Sequence, residues 1–379
     1  MANKTKKSTT PKFKFSKVSV IVFLILTVLL TVFAFVFKTQ IENLVNYNST
    51  SESITYDGLV MHTINVGQAE AIMLKLPDGK SMLVDSGNTG NSKNEKLKSY
   101  LLNNYFNQVG NMSNGEYVID YFVITHSDAD HIGGASMIFD TFQVNKVFRP
   151  NIFADTAEPD KSYDAGYTKK TIESDEWNKV VTKMYAEENC EVVFSKAGIK
   201  IVEENYSIKF CAPTQNNYSN VNGYSPIIIV EYASRKIMLT GDATTESEEK
   251  AISNLEKCDV LKVAHHGSKT STSEEFLEIV KPSYAIISVN SEERKNYGLP
   301  KQEILNRLMK YMPEKNIFRT DKNGNIVLCI TDDSNLSFVL DVQNNSYYIK
   351  VEYILAGSVL VLFVVCFSVG KKNIKTQKN

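Results

Sequence analysis

Tyr121-Phe122-Val123-Ile124-Thr125-His126-Ser127-Asp128-Ala129-Asp130-His131-Ile132-Gly133-Gly134 is the stretch whose reading decides the fold. Tyr121 to Ile124 is short, apolar and rich in β-branched and aromatic residues, which predicts a buried strand. It ends in His126, Asp128, Asp130 and His131, where imidazole nitrogens and carboxylate oxygens crowd together. Such donors at the carboxyl end of a buried strand suit one or two divalent cations. Gly133 and Gly134 let the backbone turn tightly against the site. The chain has only five histidines, and this loop holds two of them.

Working outward, His265 and His266 follow a second strand-like run, Val260 to Ala264, and precede Gly267-Ser268. Between the two histidine pairs lies Lys236-Ile237-Met238-Leu239-Thr240-Gly241-Asp242, a third strand ending in a carboxylate. Upstream, Val60–Val66 and Ala71–Leu76 read as strands. Pro77-Asp78-Gly79 is a turn, and Ser81–Val84 returns as a hairpin strand ending in Asp85-Ser86-Gly87. Helical spacing covers Glu95 to Asn107 and roughly Glu173 to Glu188. Glu191–Phe194 and Ile199–Val202 are further short strands. Ile227–Tyr232 and Lys236–Thr240 flank Ala233-Ser234-Arg235 as a hairpin. Ser271, Thr272 and Ser273 with Glu274 and Glu275 resemble a capping box opening a helix to Val280. Asn323-Gly324-Asn325 between Asn316–Arg319 and Ile326–Ile330 is a hairpin signal.

The outer ends differ from this globular middle. Residues 1–17 carry Lys4, Lys6, Lys7, Lys12, Lys14 and Lys17 and no acid. Val18–Phe37 is then free of charge and long enough to cross a ~30 Å hydrocarbon core as a retained helix. No small-residue cleavage site follows it. Residues 351–370 form a second apolar run, followed by Lys371, Lys372, Lys375 and Lys378 in the tail 371–379. Basic flanks favour the cytoplasmic side, so both tails are expected inside. That gives a two-pass cell-membrane protein whose domain, residues 58–345 after a linker at 38–57, is extracellular. The net charge of −1 makes no global polyanion-binding surface. The five cysteines lack CxxC spacing and read as separate thiols.

The chain resembles the metallo-β-lactamase superfamily, and within it the hydrolase domain of the ComEC family of DNA-uptake proteins. The resemblance runs from about Leu59 to Ile330. It rests on Asn65-Val66-Gly67-Gln68, Leu83-Val84-Asp85-Ser86-Gly87, the loop Thr125 to Gly134, Leu239-Thr240-Gly241-Asp242 and His265-His266-Gly267-Ser268. It implies an α/β fold, an αββα sandwich with two mixed sheets face to face, helices outside and a metal site at one edge. It also implies two divalent ions, with His126 and Asp128 on one, Asp130 and His131 on the other, and Asp242 bridging. His265 is the expected additional ligand. Asp130 and His266 are the expected catalytic groups, with His266 contacting the substrate or leaving group. The donor set is rich in oxygen and free of cysteine, so the expected ions are Zn²⁺ or Mn²⁺. Asp85 is expected to orient a ligand rather than bind an ion. Ser268 and Ser271, before a helix, are expected to meet a phosphate oxygen. Asn222 and Ser225 resemble a position near the substrate.

Two departures stand out. The family's Gly-Gln-Gly-Asp is here Gly67-Gln68-Ala69-Glu70, which keeps the acid. Its Tyr-Gly-His-Pro is here Tyr297-Gly298-Leu299-Pro300, which loses a histidine. The expected function is an extracellular, membrane-tethered phosphodiesterase or nuclease acting on DNA, single strands in particular. The alternatives are a cell-envelope phosphodiesterase acting on teichoic-acid-like polymers or lipid headgroups, and a binding module of weakened activity. The multi-helix channel of the resembled family has no counterpart here, so the chain is not expected to be the pore.

Overall fold

A computed structural model describes residues 17–36, 54, 56–154, 170–172, 174–290 and 298–340. The chain divides into two compact units, Ser51–Gln343 and the two ends. In the end unit, α1 spans Lys17–Val36 as 20 helical residues, with Ile21, Leu24, Ile25, Val28, Leu29, Val32 and Phe33 all exposed. Among the described residues no helix is long and apolar enough to cross a membrane. The side chains of residues 17, 19, 20 and 34–36 in this helix lie outside those described. The second apolar run, 351–370, also lies outside the described residues.

The large unit begins with strands β1 (Leu59–Thr63), β2 (Ile72–Lys75) and β3 (Ser81–Val84), then helix α2 (Asn91–Tyr100). β4 (Tyr121–Val123), α3 (Ala135–Thr141), β5 (Lys146–Arg149), α4 (Asp175–Ala186) and β6 (Glu191–Phe194) complete its first half. The second half holds β7 (Lys200–Val202), β8 (Tyr206–Phe210), β9 (Ile228–Tyr232), β10 (Arg235–Leu239), α5 (Thr245–Ala251), β11 (Val260–Lys262) and α6 (Glu274–Val280). It continues through β12 (Tyr284–Ile287), α7 (Gln302–Leu308) and β13 (Ile317–Arg319). β14 (Ile326–Ile330) and β15 (Leu336–Leu340) then return to the first sheet.

One sheet has eight strands in the order β6-β5-β4-β3-β2-β1-β14-β15, and the other has seven, from β7 to β13 in sequence. Each is mixed. β3 to β6 form parallel pairs in the first, as do β10 to β13 in the second. Alternation along the strands explains why the sheets stack. Leu59, Met61, Ile72, Leu74 and Val84 meet Ile208, Phe210, Ile228, Val230, Ile237 and Leu239 in one core between the sheets. The opposite-facing Met73, Leu83 and Phe122 pack under α2, α3 and α4 through Leu97, Ile138, Trp177 and Val180. Ile229, Met238 and Leu261 do the same under α5, α6 and α7, through Ala251, Phe276, Leu277, Ile304 and Leu308. Burial on both faces is why the parallel strands read as continuous apolar runs. The αββα sandwich is therefore present within the large unit.

Local chemistry sets the connections. Ala233 and Ser234 both have positive φ, 48° and 64°, as a two-residue hairpin turn between β9 and β10 requires. Asn323-Gly324-Asn325 does not close a hairpin. β13 edges the seven-stranded sheet, whereas β14 pairs with β1 in the other. The Asn325 carboxamide oxygen accepts the Asn65 amide proton at 2.8 Å and holds the crossing chain. β5 and β8 were not anticipated from the sequence; each is short and polar at every second or third position. The α6 N-terminus corrects the capping-box reading. Ser273 Oγ accepts from Phe276, but the reciprocal carboxylate is Glu248, from α5, which accepts from the Thr272 and Ser273 amides at 2.5 and 2.9 Å.

Candidate metal centre

Every candidate ligand segment follows the carboxyl end of a parallel strand: Asp85 after β3, His126 after β4, Asp242 after β10, and His265 and His266 after β11. That edge of an open sheet is where strand ends leave a crevice. Two close approaches draw the halves together. A Cβ on Gly241, whose φ is +47°, would lie 2.8 Å from the Thr125 Cβ, so only glycine lets Asp242 come beside the His126 loop. A Cβ on Gly133 would lie 2.0 Å from the Thr89 nitrogen, so the loop end packs directly on the segment after Asp85.

The hydrogen bonds orient the imidazoles the same way. His131 Nδ1 lies 2.6 Å from Asp85 Oδ2, and acceptor-only carboxylate oxygen assigns the proton to that nitrogen. Thr125 donates its hydroxyl to Asp85 Oδ2 at 2.7 Å, so at 2.9 Å it accepts from His126 Nδ1. His266 Nδ1 donates to the Ser288 carbonyl at 2.7 Å. Thr270 donates to Ser268 Oγ at 3.0 Å and accepts from His265 Nδ1 at 2.9 Å. With Nδ1–H spent on these partners, each of the four rings turns its Nε2 toward the centre. This outward bonding of a ring is the arrangement that metal-binding histidines use.

These Nε2 atoms converge on Asp242. Its Oδ2 lies 3.8 Å from His126 Nε2 and 3.6 Å from His265 Nε2. Its Oδ1 lies 3.3 Å from His131 Nε2 and 3.9 Å from His266 Nε2. Asp128 Oδ2 is 3.6 Å from His126 Nε2, and Asp130 Oδ2 is 3.8 Å from His266 Nε2. Among the described residues, His126 Nε2 and Asp242 Oδ1 are buried without a hydrogen-bond partner. Such atoms are costly unless something satisfies them. Donors at about 2.1 Å around one tetrahedral ion stand about 3.4 Å from each other, the spacing found here. The residues therefore fit divalent cations, and two three-residue groups, His126–His131–Asp242 and Asp130–His131–His266, each lie close enough to hold one.

The electrostatics call for positive charge in the same place. Burial alone pushes His131 down, but Asp242 and Asp85 outweigh it and hold the ring protonated well above its usual range. Burial alone pushes Asp242 up, but His131, His266 and His265 outweigh it and keep the carboxyl well below the usual carboxylate range. Burial lowers His266. Without an ion, the centre takes up a proton instead.

Other expected residues fall in different places. Asp85 is fully buried with a φ of 56°, and its two oxygens serve Thr125 and His131. Ser225 is wholly buried beneath the centre. Its Oγ lies 3.4 Å from His126 Nδ1 and accepts from the Asp242 amide at 3.3 Å, so it supports candidate ligands rather than facing a substrate. Ser271 is also wholly buried and donates to the Ala264 and Ser268 carbonyls, while Glu248 takes the amides expected to meet phosphate. Asn222 sits in the turn Val221–Tyr224, and its carbonyl accepts from Ser225. Leu299 packs on the apolar cluster under the second sheet, and the adjoining Lys301 amide bonds the Gly267 carbonyl at 2.9 Å. Sequence reading missed Thr125, Thr270 and the Ser288 carbonyl as ring-orienting groups. Only Thr125 carried a signal, its adjacency to His126.

Residues 64–197 match the family model of the metallo-beta-lactamase superfamily. ComE operon protein 3 of Bacillus subtilis is 27% identical over 271 residues, covering 69% of this chain and 32% of that protein. Recombination protein 2 of Haemophilus influenzae is 28% identical over 249 residues, covering 66% of this chain and 26% of that protein. The chain thus spans a third or less of the length of these relatives. The metallo-beta-lactamase fold protein YhfI of Bacillus subtilis superposes with a TM-score of 0.42 at 10% identity, over 74% of this chain and 99% of that one.

Proposed function

We propose that this chain, a member of the metallo-β-lactamase superfamily related to the ComEC competence proteins, is a membrane-anchored, metal-dependent phosphodiesterase acting on DNA. The observation that carries the reading is the convergence of four imidazole Nε2 atoms and three carboxylates through contacts of 3.3 to 3.9 Å. Asp242 Oδ2 with His126, Asp128 and His265 would hold one divalent ion. Asp242 Oδ1 with Asp130, His131 and His266 would hold the other. Bound there, Zn²⁺ or Mn²⁺ supplies Lewis acidity and makes water a nucleophile near neutral pH.

The chain's own residues do the rest. Asp85, Thr125, Thr270 and the Ser288 carbonyl keep the rings in the tautomer that leaves Nε2 free. Giving His266 to an ion departs from its expected role at the leaving group, because its side chain is only 3% exposed. Leaving-group protonation is then the weak point, since Leu299 carries no proton where the family has histidine. The enzyme is expected to favour an activated aryl phosphodiester over DNA.

A net charge of −1 favours a second substrate class, an envelope phosphodiester that needs no basic track. The experiment that separates them uses detergent-solubilised full chain, stripped with chelator and reloaded with Zn²⁺ or Mn²⁺. Cleavage of single-stranded DNA restored by metal supports the nuclease reading. Cleavage of a glycerol-phosphate polymer but not DNA moves the substrate to the envelope, and no cleavage of either, nor of an aryl phosphodiester, removes the enzyme reading. The charge-free run 18–37 after a basic tail and the lysine-flanked run at 351–370 are the sequence features that support an N-in, C-in topology. Protease added to intact cells should therefore remove the domain, and a domain resistant until lysis would reverse that topology.

A further inference from the structure

Behind the centre lies an ion pair that the proposed chemistry does not use. Glu70, on the loop after β1, and Lys262, the last residue of β11, are both 0% exposed, 192 positions apart, and joined Oε2 to Nζ at 2.5 Å. Each is tied to a different half of the centre. The Glu70 amide donates to the Asp130 carbonyl at 3.0 Å, and the Glu70 carbonyl accepts from Gly87 at 2.7 Å. Gly87 in turn accepts from Gly133 at 2.9 Å, closing a loop of bonds around the carboxylate-bearing turn. Lys262 Nζ also donates to the Val263 carbonyl at 3.1 Å, and Thr240 bonds the Lys262 carbonyl at 2.6 Å. Those two bonds fix the strand ends that lead to Asp242 and to His265 and His266. Glu70 Oε1 is buried without a partner, so the carboxylate is anchored through one oxygen alone among the described residues. A buried pair of this kind contributes little net stability, because desolvation consumes most of the attraction. Its geometry is what distinguishes it from an apolar filler.

We propose that Glu70 and Lys262 act as a latch across the two sheets, holding the Asp130 turn and the His265–His266 segment at the spacing that a divalent ion needs. They are positioning residues, and the proposal rests on the reading of the centre as a metal site. In this role the pair governs ion affinity more than folding.

The test uses full chain in detergent, with Zn²⁺ affinity by calorimetry and thermal midpoint read side by side. Glu70→Gln with Lys262→Met removes both charges at similar volume. The double variant should melt near the wild type yet bind Zn²⁺ about tenfold more weakly, the size typical of losing a group that supports a ligand. Glu70→Asp keeps the charge on a shorter arm and should fall between the two. A double variant with wild-type affinity, whatever its midpoint, would make the pair mere filler and overturn the latch. If the double variant does not fold, unchanged affinity in Glu70→Asp overturns it equally. A wild type that binds no Zn²⁺ is a different failure, because it removes the metal reading and the latch with it.

Discussion

The two oxygens of Asp242 face unlike surroundings. On the Oδ1 side, His131, His266 and Asp130 have side chains 0%, 3% and 14% exposed. On the Oδ2 side, His126 is fully buried, but Asp128 is 47% and His265 28% exposed. The supports differ in the same way. His131 is held by buried Asp85, whereas His265 is held by Thr270, which is exposed. One seat is closed and the other opens to solvent. Closed sites retain an ion, and open ones leave room for water or substrate, so the Oδ2 side is where chemistry should occur.

The largest expected effect erases the contrast. Asp242→Ala removes the carboxylate common to both seats. Ion-based charge stabilisation is worth several kcal/mol, so activity should fall by about 10³-fold or more, with metal content falling alongside. Full metal content and rate in that variant, by elemental analysis and turnover, would take Asp242 out of the centre.

Asp85→Asn strikes the closed seat directly and reaches His126 on the open seat only through Thr125. It leaves His131 in place but weakens the acceptor for its Nδ1–H, and should cost about 10–100-fold in affinity for the tighter ion. Thr270→Val is the matching change on the open seat. Thr270 is exposed and water can replace its hydroxyl, so about a tenfold loss or less is expected, confined to the weaker ion. Equal losses at both seats from either variant would abolish the distinction. Leu299→His should have the smallest effect. It exchanges part of an apolar contact, worth about 1 kcal/mol, for a proton donor beside the Gly267 segment. The rate on DNA should rise by less than about tenfold, and by more than the rate on an aryl ester. Equal gains would mean that the 298–300 segment does not serve the leaving group.

What could be read without coordinates follows from distance along the chain. The loop His126 to His131 carries its donors within one turn, and its strand, glycines and sheet position are all local signals. His265 and His266 were visible as a pair, but their division between two oxygens of Asp242 depends on backbone at φ of 51° and 53°. Nothing local announces that. The Glu248 cap of α6 and the Glu70–Lys262 pair join residues 24 to 192 positions apart. Asn323-Gly324 signalled a turn correctly but not which sheet the next strand would join.

The two-seat centre is tested most directly by titrating stripped full chain with Zn²⁺ by calorimetry at about pH 8 and about pH 6. In the metal-free protein Asp242 and Asp85 hold His131 protonated above its usual range. Its bond to Asp242 and Asp85 therefore adds stability to the metal-free protein below about pH 6.5 and loses it as pH rises through the elevated value. An ion must displace that proton, so binding has the opposite sign and weakens as pH falls. The account predicts two equivalents of unequal affinity, both weaker at the lower pH. A single equivalent, no binding, or affinity that ignores pH would contradict it.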